Sequence, residues 1–318
     1  METLLEVSHL RVSYHTYQGE VQSVRDVSFH VGHGETVAVV GESGCGKSVS
    51  AKSVLRLIKS PGEILEGSRI QFEGQDVLKL DKKGLSRYRG EEASIIFQDA
   101  LASLNPTMKV GKQIMETLRK HQRISKAEAR KTAIQILQRV GIPDAENRVD
   151  QYPHQFSGGM KQRAIIAMAL ACDASVLIAD EPTTALDVTI QAQIMDLLKE
   201  IQRVNNTSVL LITHDLALVS ENADDVAVMY SGRIVESAKC DVYFQTPNHP
   251  YSIALLNALP SNNINRLQTI KGQPPAIYHD ISGCKFHPRC PKCMDICKLR
   301  VPEFRKIGDR HYSACWLN

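Results

Sequence analysis

At 318 residues the chain has room for about two domains, and its 43% hydrophobic and 23% charged residues are those of an ordinary globular protein. A formal net charge of +3 with no dense Lys/Arg block argues against nucleic acid as the partner. The start, METLLEVSHL, lacks a cationic segment followed by an apolar one, and the longest apolar run, 164–171, is far short of the roughly 20 residues that cross a bilayer. An intracellular protein without a signal peptide is expected, and in that compartment thiols stay reduced.

In chain order, alternating apolar and polar residues predict strands at 4–12 and 24–31, and the near-continuous apolar stretch 36–40 predicts a strand buried on both faces. A helical pattern over 46–58 ends before Ser60-Pro61. Strands are predicted next at 69–72 and 93–97. From 109 to 141 the chain is helical and charged; its second helix opens with the capping box Ser125-x-x-Glu128 and closes at Gly141, with Pro143 beyond. Buried strands return at 176–179 and 209–212, each after a helical segment, 161–171 and 190–204. The pattern is that of an α/β protein whose parallel sheet is interrupted by an all-helical insertion. Beyond Thr246, Pro, Asn and Cys rise and periodicity fades, which sets a boundary between 1–245 and 246–318.

The buried strand at 36–40 runs into GESGCGKS (41–48) and then into a helix, the context in which that pattern is a phosphate-binding loop. Gly41, Gly44 and Gly46 let successive N–H groups, those of Ser43 and Cys45 included, turn around an anion. Lys47 reaches the β- and γ-phosphates, and Ser48 ligates Mg²⁺. Cys45, at a variable loop position, reads as a small space-filler rather than a redox sensor. Such a loop needs a carboxylate-bearing strand for the metal, and VLIADEP (176–182) supplies it. Asp180 is placed to hold Mg²⁺ or its water, and Glu181 to take a proton from attacking water.

With FSGGMKQR (156–163) the chain resembles the ATPase subunits of ABC transporters. The resemblance continues through Gln98 of IIFQD as the Q-loop, Ser157-Gly158-Gly159 as the signature, Ala185-Leu186-Asp187 as the D-loop and His214 of LLITHD as the switch histidine. It implies a P-loop NTPase (RecA-like) core with a mixed sheet and a helical subdomain at about 104–156. It further implies that Tyr14, or its competitor Tyr17, stacks on adenine and that Gln98 touches Mg²⁺ and reports γ-phosphate occupancy. Ser157 and Gly159 would bind the γ-phosphate held by a second ATPase subunit, Asp187 would lie at that interface, and His214 would contact the γ-phosphate. The chain departs from the family pattern at Phe156 and Met160, where Leu and Gln are general, and at Ala100, where Pro is common.

IIFQDALASLNPTM, YPHQFSGGMKQR and NHPYSIALLNALP together resemble the dipeptide and oligopeptide importer branch, whose members carry a C-terminal extension with an HPY element, here His249-Pro250-Tyr251. That implies a heterodimer of ATPases on the cytoplasmic face of the membrane, beneath two permease subunits fed by an extracytoplasmic peptide-binding protein. Import of nickel or another small solute, or a partner subunit that no longer hydrolyses, are the alternatives. Five of the eight cysteines fall at 284–315. The branch typically has four there, matching Cys284, Cys290, Cys297 and Cys315, with Cys293 left over. Their irregular spacing suits a [4Fe–4S] cluster, which is the first expectation; zinc and reduced thiols are the alternatives.

Overall fold

The computed structural model describes residues 3–17, 19–98, 103–183, 187–259, 270–275 and 281–318. In chain order it has β1 (Thr3–Thr16), β2 (Gly19–Gly32), β3 (Thr36–Val40), α1 (Lys47–Val54), β4 (Gly62–Ile64), β5 (Arg69–Phe72), β6 (Gln75–Asp76), α2 (Lys82–Arg87) and β7 (Ala93–Ile96). There follow α3 (Val110–His121), α4 (Lys126–Arg139), α5 (Ala145–Arg148), α6 (Gly158–Leu170), β8 (Val176–Asp180), α7 (Val188–Asn205), β9 (Ser208–Thr213) and α8 (Leu216–Asn222). The last are β10 (Asp225–Tyr230), β11 (Arg233–Lys239), α9 (Cys240–Gln245), α10 (Pro250–Asn257), α11 (Asp295–Leu299), β12 (Arg305–Gly308) and β13 (His311–Ser313). The chain divides into two compact units, Met1–Leu78 with Leu211–Asn318, and Lys79–Leu210.

In the first unit the strand order is β6-β5-β1-β2-β11-β10-β3. β1 is antiparallel to β2 and β5, while β10 is antiparallel to β11 and parallel to β3. This is the mixed sheet of a P-loop NTPase, as expected. Every residue of β3 and of β10 is buried, which is why β3 reads as a continuous apolar run rather than an alternating one. The helix after the phosphate loop is shorter than the 46–58 pattern predicts, because Val54 is its last residue and Arg56 already has a left-handed φ of 50°.

The extension beyond residue 246 belongs to this first unit and packs on its core. Tyr251 and Phe286 join Ala38, Val40, Val228 and Tyr230 in one buried cluster, with Cys284 and Cys290 against it. The rings of Tyr230, Tyr251 and Phe286 lie 4.6–5.3 Å apart at steep angles, the tilted and edge-on arrangements that aromatic quadrupoles favour. A tail poor in apolar residues is thus held by sharing a core with β3 and β10.

In the second unit β7 and β8 run parallel, from Ala93 opposite Val176 to Ile96 opposite Ala179. The helical insertion lies between them in sequence. Ser125 and Glu128 form the expected capping box, each side chain accepting from the other's backbone N–H at 2.9 and 3.2 Å. α3, α4 and α6 pack on one another, burying Ile114 and Leu118, Ala129, Ala133 and Leu137, and Ala164 and Ile166.

Candidate nucleotide site

β3 ends in the loop 41–46, and Gly46 caps α1. The loop closes on its own cation: buried Lys47 donates from Nζ to the carbonyls of Gly41 at 2.8 Å and Glu42 at 3.1 Å. Ser43 and Gly44 are exposed at its crest, and Ser48 is half-buried in the first turn of α1. Cys45 is buried, and burial pushes its thiol upward, so it fills space rather than reacting. A cavity of about 290 Å³ opens on the loop, lined among others by Glu42, Ser43, Gly44, Ser23, Tyr230 and, from the extension, Pro274 and Pro275.

Two loop glycines are fixed by close approach. A Cβ on Gly41 would stand 2.2 Å from the Met229 carbonyl, and one on Gly46, at φ 108°, would stand 2.5 Å from that of Ser23. Neither neighbour is a flexible side-chain end, so the loop has to move to admit a methyl. Gly46→Ala is therefore expected to lower nucleotide affinity at least about ten-fold, because the N–H groups that circle the anion lose their common aim. Equilibrium titration with ATP measures this, and an affinity within two-fold of the parent would refute it.

On the hairpin of β1 and β2, Tyr14 pairs with Val21 and Gly62, and its ring lies over Gly62, where a Cβ would meet it at 2.5 Å. Tyr17, in the turn, is 112% exposed. His214 follows β9 directly and is exposed, and the next residue, Asp215, caps α8 by accepting from Ala217 N–H at 2.9 Å. All of these belong to the first unit.

The second unit carries the carboxylate strand. β8 is buried throughout and delivers Asp180, 1% exposed, at its end. Glu181 follows with a left-handed φ of 50°, and Gln98 donates from Nε2 to Glu181 Oε2 at 2.9 Å. The structure thus brings together two residues that the sequence holds far apart. Ser157 caps α6, its hydroxyl accepting from Met160 N–H at 3.3 Å. Gly158 leaves open space where a Cβ would be, while one on Gly159 would press on Ile190 Cγ2 at 3.3 Å. Asp187 caps α7 through Ile190 N–H at 2.9 Å. Ala100, with Asp99 before it, and Ala185 and Leu186 of the D-loop lie outside the described residues. Sequence reasoning missed Gln162, whose amide donates to the Pro182 carbonyl at 2.5 Å and so ties the signature helix to the turn after Glu181.

The cysteine expectation is corrected. Among the described residues no three His, Cys, Asp or Glu side chains are grouped so as to hold a metal ion. Cys284, Cys290, Cys297 and Cys315 do line one cavity together with Phe286 and Trp316, but its volume is about 10 Å³. That admits about one water molecule and is far too small for a four-iron cluster. All four are free thiols, as is Cys293; burial pushes Cys284 up to about 11 and raises Cys290 and Cys315 as well. Trp316, beside them, donates its indole N–H to the Arg300 carbonyl at 3.1 Å.

Polar contacts fasten the extension instead. Glu236 of β11, wholly buried, accepts from the backbone N–H of Asn248 at 2.8 Å and of His249 at 2.7 Å, and pairs with His311 Nε2 at 2.8 Å. His249 caps α10 by accepting the Tyr251 N–H on Nδ1 at 3.0 Å, a bond open only to the neutral ring. Burial pushes the His249 imidazole down to about 4 from its ordinary 6.5. The neutral ring therefore stabilises the fold above pH 6.5, and that contribution is lost as pH falls through about 4. Asp225, pushed up to about 7 by burial and by Glu35, works in the opposite sense, its contribution being lost as pH rises through that value. A comparison with His249→Asn, which keeps the acceptor and cannot charge, isolates the histidine. Its stability deficit against the parent is expected to shrink by about 2 kcal/mol or more between pH 7 and pH 4 in urea unfolding. A constant deficit would show that His249 does not titrate with folding.

The sequence profile of the ABC transporter family matches residues 24–184, and that of the oligopeptide/dipeptide transporter C-terminal region matches 235–297. The oligopeptide transport ATP-binding protein OppD of Bacillus subtilis (strain 168) is 50% identical over 317 residues, 99% of this chain and 88% of its own length. The dipeptide transport ATP-binding protein DppD of the same organism is 49% identical over 320 residues, covering 100% of this chain and 95% of its own. Among solved structures, a bacterial ABC transporter cassette in dimeric form superposes with a TM-score of 0.67 at 25% identity, over 74% of this chain and 99% of its own. The same cassette in a post-hydrolysis state bound to ADP and phosphate matches equally, with a TM-score of 0.67.

Proposed function

Because the chain belongs to the ABC transporter ATPases, in the branch of oligopeptide and dipeptide transport ATP-binding proteins, we propose that it hydrolyses ATP to drive import of dipeptides or oligopeptides through a membrane permease. The observation that carries this reading is the phosphate loop itself: Lys47, at the start of α1, holds the loop carbonyls until phosphate oxygens replace them as acceptors. The loop N–H groups and the helix N-terminus supply the rest of the anion site.

Ser48, Asp180 and the Gln98 amide oxygen would each offer an oxygen to Mg²⁺, a hard cation that takes few protein oxygens and completes its shell with water and phosphate. Bound there, it would neutralise charge on the β- and γ-phosphates. Glu181 takes a proton from the water that attacks the γ-phosphorus as the bond to the bridging oxygen breaks. Gln98, already on Glu181 Oε2, orients that carboxylate. His214 holds the γ-phosphate, and Tyr14 or Tyr17 stacks on the base. Ser157, Gly158 and Gly159, with Asp187, face the nucleotide of a second ATPase subunit, a related but different chain. The pair sits on the cytoplasmic face of the membrane under two permease subunits, which receive peptide from an extracytoplasmic binding protein. Among the described residues no helix is long and apolar enough to cross a membrane.

The test is uptake. Vesicles holding the assembled transporter should accumulate labelled di- or oligopeptide only with ATP, and Lys47→Ala in this chain should abolish accumulation. ATP-driven uptake of nickel with none of peptide would overturn the substrate assignment and leave the ATPase standing.

A further inference from the structure

The second residue of the phosphate loop is held by the extension. Glu42 receives a two-pronged pair from Arg289, Nη1 to Oε2 at 2.6 Å and Nη2 to Oε1 at 2.9 Å, and its backbone N–H donates to the Tyr251 hydroxyl at 2.9 Å. Arg289 is itself fixed. Its side chain is 5% exposed, its Nε donates to the Lys271 carbonyl at 3.0 Å, and its guanidinium lies 5.8 Å from the Tyr230 ring centre and 6.0 Å from that of Phe286. The Glu42 carbonyl, in turn, is one of the two that Lys47 occupies. A carboxylate in a loop built to surround phosphates opposes its own ligand by like-charge repulsion, and a bidentate guanidinium is the partner that best cancels it.

We propose that Arg289 and Tyr251 are positioning residues for nucleotide binding: the extension neutralises Glu42 and fixes its peptide, so the phosphate loop is receptive to ATP only with the extension docked. This rests on the reading of 41–48 as an ATP site and adds a role for the C-terminal segment. Neither residue touches nucleotide; both act through Glu42.

The decisive measurement is affinity for Mg-ATP in the full chain, by titration of a fluorescent ATP analogue and its displacement by ATP. Arg289→Gln is expected to weaken binding about ten-fold, the effect of one uncompensated charge beside the phosphates. Glu42→Gln placed in that background is expected to recover most of the loss, because the charge that needed cancelling is gone. A role in packing alone would leave the double variant as weak as the single one. Tyr251→Phe, which keeps the ring cluster and removes only the acceptor of the Glu42 N–H, should cost about three-fold and serves if Arg289→Gln does not fold. Affinity within two-fold of the parent in Arg289→Gln, or in Tyr251→Phe where that serves, overturns the proposal, and so does a double variant no tighter than the single. If the parent binds no ATP, the nucleotide reading itself fails, an outcome separate from these.

Discussion

Glu181→Gln is expected to lower ATP turnover by about 10²–10⁴-fold while leaving ATP affinity within a few-fold, the range set by losing a positioned general base. The substitution keeps shape and removes only the ability to take a proton. Glu181 follows a strand in which every residue is buried, its φ of 50° turns it out of the β8 run, and Gln98 meets it at 2.9 Å. A neutral amide preserves that geometry, so binding survives and hydrolysis does not. Single-turnover phosphate release beside equilibrium ATP titration separates the two. A variant that hydrolyses within ten-fold of the parent would place the base elsewhere.

Glu236→Ala is expected to cost about 3–5 kcal/mol, since each hydrogen-bond donor left unmet in the interior costs roughly 1–3 kcal/mol. The residue is 0% exposed, and its two oxygens serve the Asn248 and His249 N–H groups and His311. Removing it leaves three donors unmet, two of them just before α10 and one on β13. Glu236→Gln should cost less, about 1–3 kcal/mol, because one oxygen remains while the amide NH₂ faces a donor. Urea unfolding followed by circular dichroism measures both; a loss under 1 kcal/mol for the alanine variant would show that water or a shifted backbone replaces the carboxylate.

What was readable from the sequence follows from how local each feature is. GESGCGKS between a strand and a helix announces its own geometry, because glycine placement and the Lys47 position are encoded within eight residues. The same holds for the box at Ser125 and Glu128. β10 and β11 went unpredicted: DVAVMY opens on a charged residue, Asp225, and RIVESAK sets Arg233, Glu236 and Lys239 among its apolar residues, so buried Glu236 blurs the strand pattern. The pairing of Glu42 with Arg289 joins residues 247 apart, and no periodicity reports such a contact. The cysteines misled for a related reason: spacing shows which thiols are near in sequence, whereas the space between them is set by Phe286, Trp316 and the core on which the extension rests.

Trp316 is the chain's single tryptophan, and it lies beside the thiols, bonded to the Arg300 carbonyl. The protein therefore carries its own optical label on the extension alone. Its emission wavelength reports whether that segment is docked, independently of the helices and strands that dominate the ultraviolet signal of the whole chain. Fluorescence can thus follow the extension during nucleotide addition without any dye or engineered residue.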